Sequence, residues 1–142
     1  MTVDWESFTE KTAETAEVRL LGLADVPSVL ALQKLMVHEV QRQSRLCAAI
    51  LMCEHPPSIT TGNGSSLLDL PSDPRELEAK LLTVHRVSRD GGTILHQPGQ
   101  LAIYTIINLA ECGLEESEFH WRLQDAILET CREAQVLSLI HI

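Results

Sequence analysis

Arg89-Asp90-Gly91-Gly92-Thr93-Ile94-Leu95-His96-Gln97-Pro98-Gly99-Gln100 lies between two apolar runs and packs two adjacent glycines, one histidine and a rigid turn into a single segment. Gly91 and Gly92 open backbone dihedrals closed to other residues and let the chain approach a ligand closely, and Pro98-Gly99 is a tight-turn dipeptide. His96 is thereby expected at a strand end. Taken singly, a Gly-Gly pair is also an ordinary hairpin loop, and a lone histidine on an apolar run is also a satisfied structural residue. A simple hairpin does not require arginine, glycine corner, histidine and Pro-Gly-Gln in that order, so the string as a whole points to a ligand-binding corner.

Working outward, the pattern alternates helices and strands. Residues 83–88, 93–96 and 101–109 read as three strands around the corner. Upstream, 46–53 is a continuous apolar run of strand length, ended by Pro56-Pro57 and expected in the middle of a sheet, and 58–61 forms another short strand before the loop 62–66. Residues 18–23 suggest a first strand. Asp25 is placed to cap a helix over 27–45, with Val29, Leu32, Leu35, Met36 and Val40 near one face. Asp73, Pro74 and Glu76 give a cap, a first-turn proline and a reciprocal partner for a short helix to about residue 80. Ser117 opens a last amphipathic helix to about residue 135, with Phe119, Leu123, Ile127 and Cys131 at four-residue steps. Tyr104 and Trp121 are expected in the core. The acidic residues 1–17 are expected to be a loosely ordered N-terminal segment, and 18–136 a single domain.

Composition bounds the function. A chain of 142 residues buries about two thirds of its unfolded surface, enough for one core. That core is aliphatic, since 44% of residues are hydrophobic and only 4% aromatic. With 11 Lys and Arg against 20 Asp and Glu the formal net charge is -9, which lacks the basic footprint of a nucleic-acid binder. No run approaches the roughly 18 apolar residues of a membrane span, and Asp4, Glu6, Glu10 and Lys11 stand where a secretory signal would need an apolar core. A cytoplasmic protein without nucleic-acid or membrane partners is expected. Cys47, Cys53, Cys112 and Cys131 show no zinc-type spacing, so no metal site is expected. Buried apolar roles are expected for Cys47, Cys53 and Cys131, whereas Cys112, among Glu111, Glu115 and Glu116, is the one expected at the surface and is no thiolate nucleophile. Thr61-Gly62-Asn63-Gly64-Ser65 lacks the lysine and the following helix of a phosphate-binding loop.

The corner resembles the signature R-G-G-x-x-T-x-H-G-P-G-Q of the octanoyltransferases, also called the lipoate-protein ligase B family. Arg89, Gly91, His96, Pro98, Gly99 and Gln100 match without a gap, while Asp90 and Gln97 replace glycines and Ile94 a threonine. Glu54-His55-Pro56-Pro57 followed by Thr61-Gly62 is similar to a second family segment, E-H-P-P and its T-x-G turn. The related ATP-dependent lipoate ligases continue after the histidine with D-x-G-N, so Gln97-Pro98-Gly99-Gln100 favours the transferase branch. The resemblance covers about residues 20–135.

It implies an α+β fold, a mixed β-sheet flanked by helices, as in the biotin/lipoate ligase-like catalytic domains, here C-terminally incomplete. It also implies transfer of an octanoyl group from acyl carrier protein to a lysine of a lipoyl domain, in a 2-oxo acid dehydrogenase or the glycine-cleavage H protein, through a cysteine thioester and without a cofactor. Such a thioester stays activated for attack by an amine. Substrate binding falls on Arg89, Asp90, Gly91, Gly92, Thr93, Ile94, Leu95 and His96. Gly91 and Gly92 would let the acyl chain or acceptor lysine pass, Arg89 would hold the loop, meet an acidic carrier or pair with Asp90, and His96 would orient the reacting carbonyl or relay a proton. Asp90 would narrow the corner or repel what glycine admits, and His55 is expected to make a structural hydrogen bond. The chain departs from the family in that the catalytic lysine and cysteine are expected beyond Ile142, which would leave the chain as given inactive. Leu137-Ser138-Leu139-Ile140-His141-Ile142 resembles adapter read-through, so 137–142 is expected to be a non-native or truncated end. Two alternatives stay open: an ATP-dependent lipoate or biotin ligase relative, and a non-catalytic scaffold that binds carrier or lipoyl domain.

Overall fold

The computed structural model describes residues 15–42, 46–65 and 73–136. Thr15–Leu23 (β1), Val26–Arg42 (α1) and Leu46–Glu54 (β2) form a β-α-β unit in which β1 and β2 run parallel. Parallel neighbours need a crossover of this length, and the helix supplies it. β1 starts at Thr15, ahead of the expected residue 18, and residues 1–14 lie outside the described ones. Asp25 caps α1 as expected: its Oδ1 accepts from Ser28 N at 2.9 Å and its carbonyl from Val29 N at 3.1 Å. The cap sets the helix start one residue ahead of Pro27, and α1 is described to Arg42, with 43–45 outside the described residues.

The apolar run 46–53 is the centre of a three-stranded sheet ordered β1-β2-β6, where β6 is Leu101–Ile107. Val29, Met36 and Val40 of α1 pack with Leu46, Ala49, Leu51 and Cys53 of β2 and with Ile106 into one buried cluster. Leu32 packs against its edge, but Leu35 is 51% exposed, contrary to expectation. At about 100° per residue Leu35 lies roughly 120° around the helix from Val29, too far to share its face. Leu21 is an extra residue in the β1–β2 register, because Leu20 pairs with Met52 and Gly22 with Cys53. Gly22 takes φ +65° there, and glycine tolerates this bulge geometry at no steric cost.

The second sheet is ordered β4-β3-β5, with Ser58–Thr61 as β3, Thr83–Arg86 as β4 and Thr93–His96 as β5. β3 runs parallel to β4 and antiparallel to β5, and all four of its residues are buried, as befits the middle strand. The α+β organisation is as expected, with the strands distributed over two sheets rather than one. Pro74–Ala79 (α2) starts on the Asp73 cap, whose Oδ1 accepts from Arg75 N at 2.9 Å. β4 stops before Val87, which turns to donate to Thr61 O, and β6 stops where the Asn108 side chain accepts from Glu111 N. Both strands are therefore two residues shorter than expected.

The chain divides into two compact units, one up to Ile106 and one from Ile107. The second unit carries Glu116–Glu133 (α3), with Glu115 rather than Ser117 at its entry and Arg122 paired to Glu118 at 2.6 Å. None of its residues is buried, and Trp121, expected in the core, is 73% exposed. Trp121 lies about 200° around the helix from Phe119, opposite the stripe that Leu123 and Ile127 continue. Among the described residues no helix is long and apolar enough to cross a membrane.

Candidate functional site

Everything that shapes the corner lies in the first unit. Gly91 takes φ +85°, a left-handed backbone that favours glycine. The turn after Thr61 is pressed onto this corner: Gly62 N donates to Gly92 O at 3.2 Å and Asn63 N to Arg89 O at 2.8 Å. A Cβ on Gly62 would meet Gly91 O at 2.5 Å and Arg89 O at 2.9 Å, so the position admits only glycine. Gly92 has open space around it and no such constraint.

Arg89 holds the corner closed from inside. Its Nη2 donates to Gly92 O at 2.8 Å and to both the carbonyl and the hydroxyl of Thr60 at 3.2 Å, and its Nη1 donates to the Asp90 carbonyl at 3.0 Å. Of the roles expected for Arg89, the loop-holding one is the one its contacts serve; it meets the Asp90 backbone, not the carboxylate. Asp90 is exposed and does not line the cavity described below. Neither Asp90 nor Gln97 takes a positive φ, which is why these positions accept residues other than glycine.

Pro98-Gly99 forms the expected turn, with Gly99 at φ +87° and Gln100 N donating to Gln97 O at 3.1 Å, as a type II turn requires. Glu54 accepts from Gly99 N through Oε2 at 2.6 Å and so ties the end of β2 to this turn. The two sequence segments singled out above are thus physically joined. Next to Glu54, His55 is 1% exposed and makes the structural bonds expected of it: Nδ1 to the Ala24 carbonyl at 2.6 Å and Nε2 to Tyr104 Oη at 2.8 Å.

His96 comes into this cluster from β5. Ser58 pairs with His96 and Thr60 with Ile94, so His96 and Thr60 are diagonal neighbours on one face, and His96 Nε2 lies 3.0 Å from Thr60 Oγ1. Its ring stands edge-on to His55 at 5.1 Å between centroids. Burial, then the neighbouring His55, Arg89 and His85, depress the His96 pKa below the ordinary histidine value. Burial raises that of Tyr104, which therefore keeps its proton.

Of these groups Thr60, Arg89, His96 and Tyr104 line a cavity of about 380 Å³. Its aliphatic lining comes from Val26 and Leu30 of α1, Val87, Ile94, and Leu101 and Ile103 of β6, and Gln33, Ser88 and Gln100 add polar groups to it. Of the eight residues expected to bind substrate, Arg89, Ile94 and His96 line the cavity, while Asp90, Gly91, Gly92, Thr93 and Leu95 do not. The glycines act on the backbone path, and Leu95 points off the cavity because strand residues alternate. Thr60 and Tyr104 were not expected here. Three hydroxyls in the four residues of β3 are the signal that identifies Thr60 in retrospect; Tyr104 joins the core edge as expected while turning its hydroxyl to His55.

The cysteines offer no nucleophile at this end. Cys53 is buried with Sγ 3.6 Å from His55 Nε2, and burial pushes its pKa up. Cys47 and Cys131, expected buried, are only half-buried, as is Cys112. Among the described residues, no group of three or more His, Cys, Asp or Glu stands together as a metal site.

Residues 25–138 match the model of the lipoyl protein ligase A/B catalytic domain. A curated octanoyltransferase of Bacteroides fragilis is 30% identical over 103 residues, covering 72% of this chain and 47% of that protein. One from a Nostoc species is 34% identical over 103 residues, covering 72% and 44%. The chain therefore spans somewhat less than half the length of these relatives. Among solved structures, the lipoate complex of P. falciparum LipL1 superposes with a TM-score of 0.52 at 13% identity, covering 64% of this chain and 30% of that one, which speaks to the fold alone. With the glycine corner, its arginine staple and the cavity lined by His96 all inside the matched span, the chain belongs to the lipoyl protein ligase A/B catalytic-domain family.

Proposed function

We propose that this chain is the acyl-binding part of an octanoyltransferase, which moves an octanoyl group from acyl carrier protein to a lysine of a lipoyl domain in the cytoplasm. The observation that carries the reading is the cavity of about 380 Å³, which sets aliphatic side chains beside Arg89, His96 and Tyr104 and lies within the range of about 300–1,000 Å³ typical of small-molecule sites. A medium-length acyl chain gains from burial against Val26, Leu30, Leu101 and Ile103, and its carbonyl then lies toward His96 and Tyr104. The octanoyltransferase names of the relatives support the chain length, and the Gln97-Pro98-Gly99-Gln100 turn supports the transferase branch over the ATP-dependent ligases.

Arg89, Asp90, Gly91, Gly92, Thr93, Ile94, Leu95 and His96 together form the substrate-binding segment on this reading. Arg89, Ile94 and His96 touch the acyl group, and the others shape the corner where acceptor lysine and thioester meet. The thioester-forming cysteine and its lysine partner belong to the part of the relatives' length that this chain does not span. The acceptors are lipoyl domains of 2-oxo acid dehydrogenases or the glycine-cleavage H protein.

The test has two parts. Octanoyl-acyl carrier protein titrated into the isotope-labelled chain is expected to shift the amide signals of residues 89–96. The complete gene product is expected to transfer octanoate to a lipoyl-domain lysine, read by intact-protein mass spectrometry, and to form no adenylate from lipoate and ATP. Absence of transfer by the complete product, or lipoyl-adenylate formation in its place, overturns the reading.

A further inference from the structure

We infer that His96 is held as a fixed hydrogen-bond donor: Thr60, oriented by Arg89, gives its hydroxyl proton to His96 Nε2 and so leaves the imidazole N–H at Nδ1. The assignment follows from which groups are able to donate. A guanidinium has no acceptor, so in the 3.2 Å contact between Arg89 Nη2 and Thr60 Oγ1 the hydroxyl oxygen accepts. Thr60 is 4% exposed, and among the described residues the only acceptor within reach of its hydroxyl proton is His96 Nε2 at 3.0 Å. Were Nε2 to carry the hydrogen, the Thr60 hydroxyl proton would be buried with nothing to receive it, which protein interiors avoid. Nε2 therefore accepts, and the proton of the neutral ring sits on Nδ1. That N–H has no protein partner among the described residues, on a side chain that lines the cavity.

His55 is fixed the same way by its own partners. The Ala24 carbonyl only accepts, so His55 Nδ1 donates across the 2.6 Å contact and Nε2 receives the Tyr104 hydroxyl proton at 2.8 Å. Tyr104 has thus spent its proton on His55 and turns only lone pairs elsewhere. Burial and the positive Arg89 keep the His96 ring neutral, as this arrangement needs. A ring whose Nε2 is occupied by Thr60 and whose Nδ1 is already protonated has no free lone pair with which to take a proton. Of the two roles expected for His96, orienting a carbonyl remains and proton relay does not. Thr60 and Arg89 are positioning residues that act through it. What the donor orients rests on the acyl-transfer reading; the tautomer itself does not.

The test is a long-range proton–nitrogen correlation spectrum of the nitrogen-15-labelled chain near neutral pH, with the His96 signals assigned by their loss in His96→Gln. The expected spectrum shows a protonated Nδ1 and an unprotonated Nε2. Thr60→Ser keeps the hydroxyl and is expected to keep that pattern. Thr60→Val removes the proton donor and is expected to shift the balance toward the Nε2–H form that free histidine prefers. A wild-type His96 in the Nε2–H form, or doubly protonated, overturns the proposal even where Thr60→Val fails to fold. So does a folded Thr60→Val chain with the tautomer unchanged. No ligand or turnover enters this measurement, so its failure leaves the acyl-transfer reading standing, and a failure of transfer leaves the tautomer standing.

Discussion

At the scale of single residues, His96 has a consequence for stability as well as for chemistry. Burial opposes its charged form, and His55, Arg89 and His85 add to that opposition. Its folded pKa therefore lies below the unfolded value of about 6.5. In the interval between the two values the unfolded chain binds more protons, so stability rises with pH across it. The contribution of a neutral His96 is fully present above about pH 6.5 and is lost progressively as the pH falls below that value. Urea midpoints measured from pH 8 down to pH 5 are expected to decline on this side, and His96→Gln, which cannot charge, is expected to show a shallower decline. Equal slopes for the two chains would mean that His96 titrates as freely in the folded state as in the unfolded one.

At the scale of elements, the site depends on one turn lying flat against another. Gly62 N and Asn63 N both donate into the 89–92 corner, and the space for a side chain on Gly62 is occupied by two backbone oxygens. Backbone oxygens yield less than side chains do. Gly62→Ala is therefore expected to destabilise the chain by about 1–3 kcal/mol, the usual range for overpacking, whereas Gly92→Ala, with open space around it, is expected to cost less. Equilibrium unfolding of both variants checks the contrast, and equal losses would show that the turn relaxes around the new methyl. The corner and its Pro-Gly turn were legible in the sequence because both are local: Gly91, Pro98 and Gly99 carry their conformations with them. The strands 46–53, 58–61 and 93–96 and the Asp25 and Asp73 caps were legible for the same reason. What links them was not. Thr60 to His96, Glu54 to Gly99 and His55 to Tyr104 join residues far apart in the chain, and no periodicity encodes which hydroxyl a given imidazole meets. Leu35 was grouped with the Val29 face although it lies roughly 120° away from it, and Trp121 was assigned to the core by its apolar character without regard to its helical face.

At the scale of the whole molecule, the acidic balance and the exposed aliphatic residues of β1 act in opposite directions on solubility. A formal charge of -9 keeps copies apart through mutual repulsion. Against this, β1 is an edge strand of its sheet, and its Val18, Leu20 and Leu23 are 55%, 78% and 64% exposed. An edge strand with exposed aliphatic side chains is a template for pairing with a second copy. Repulsion weakens with salt because exposed charges are screened beyond a Debye length of about 10 Å at 0.1 M, whereas apolar contact does not weaken. Self-association of the chain is therefore expected to increase with ionic strength. Leu20→Glu places a carboxylate on that edge, where it costs little because the leucine is mostly exposed; the change in folding stability is expected to stay within about 0.5 kcal/mol. Sedimentation velocity at low and high salt is expected to show the wild-type chain associating as salt rises and the variant remaining closer to monomeric. If Leu20→Glu associates as strongly as the wild type, the contact surface lies elsewhere than the β1 edge.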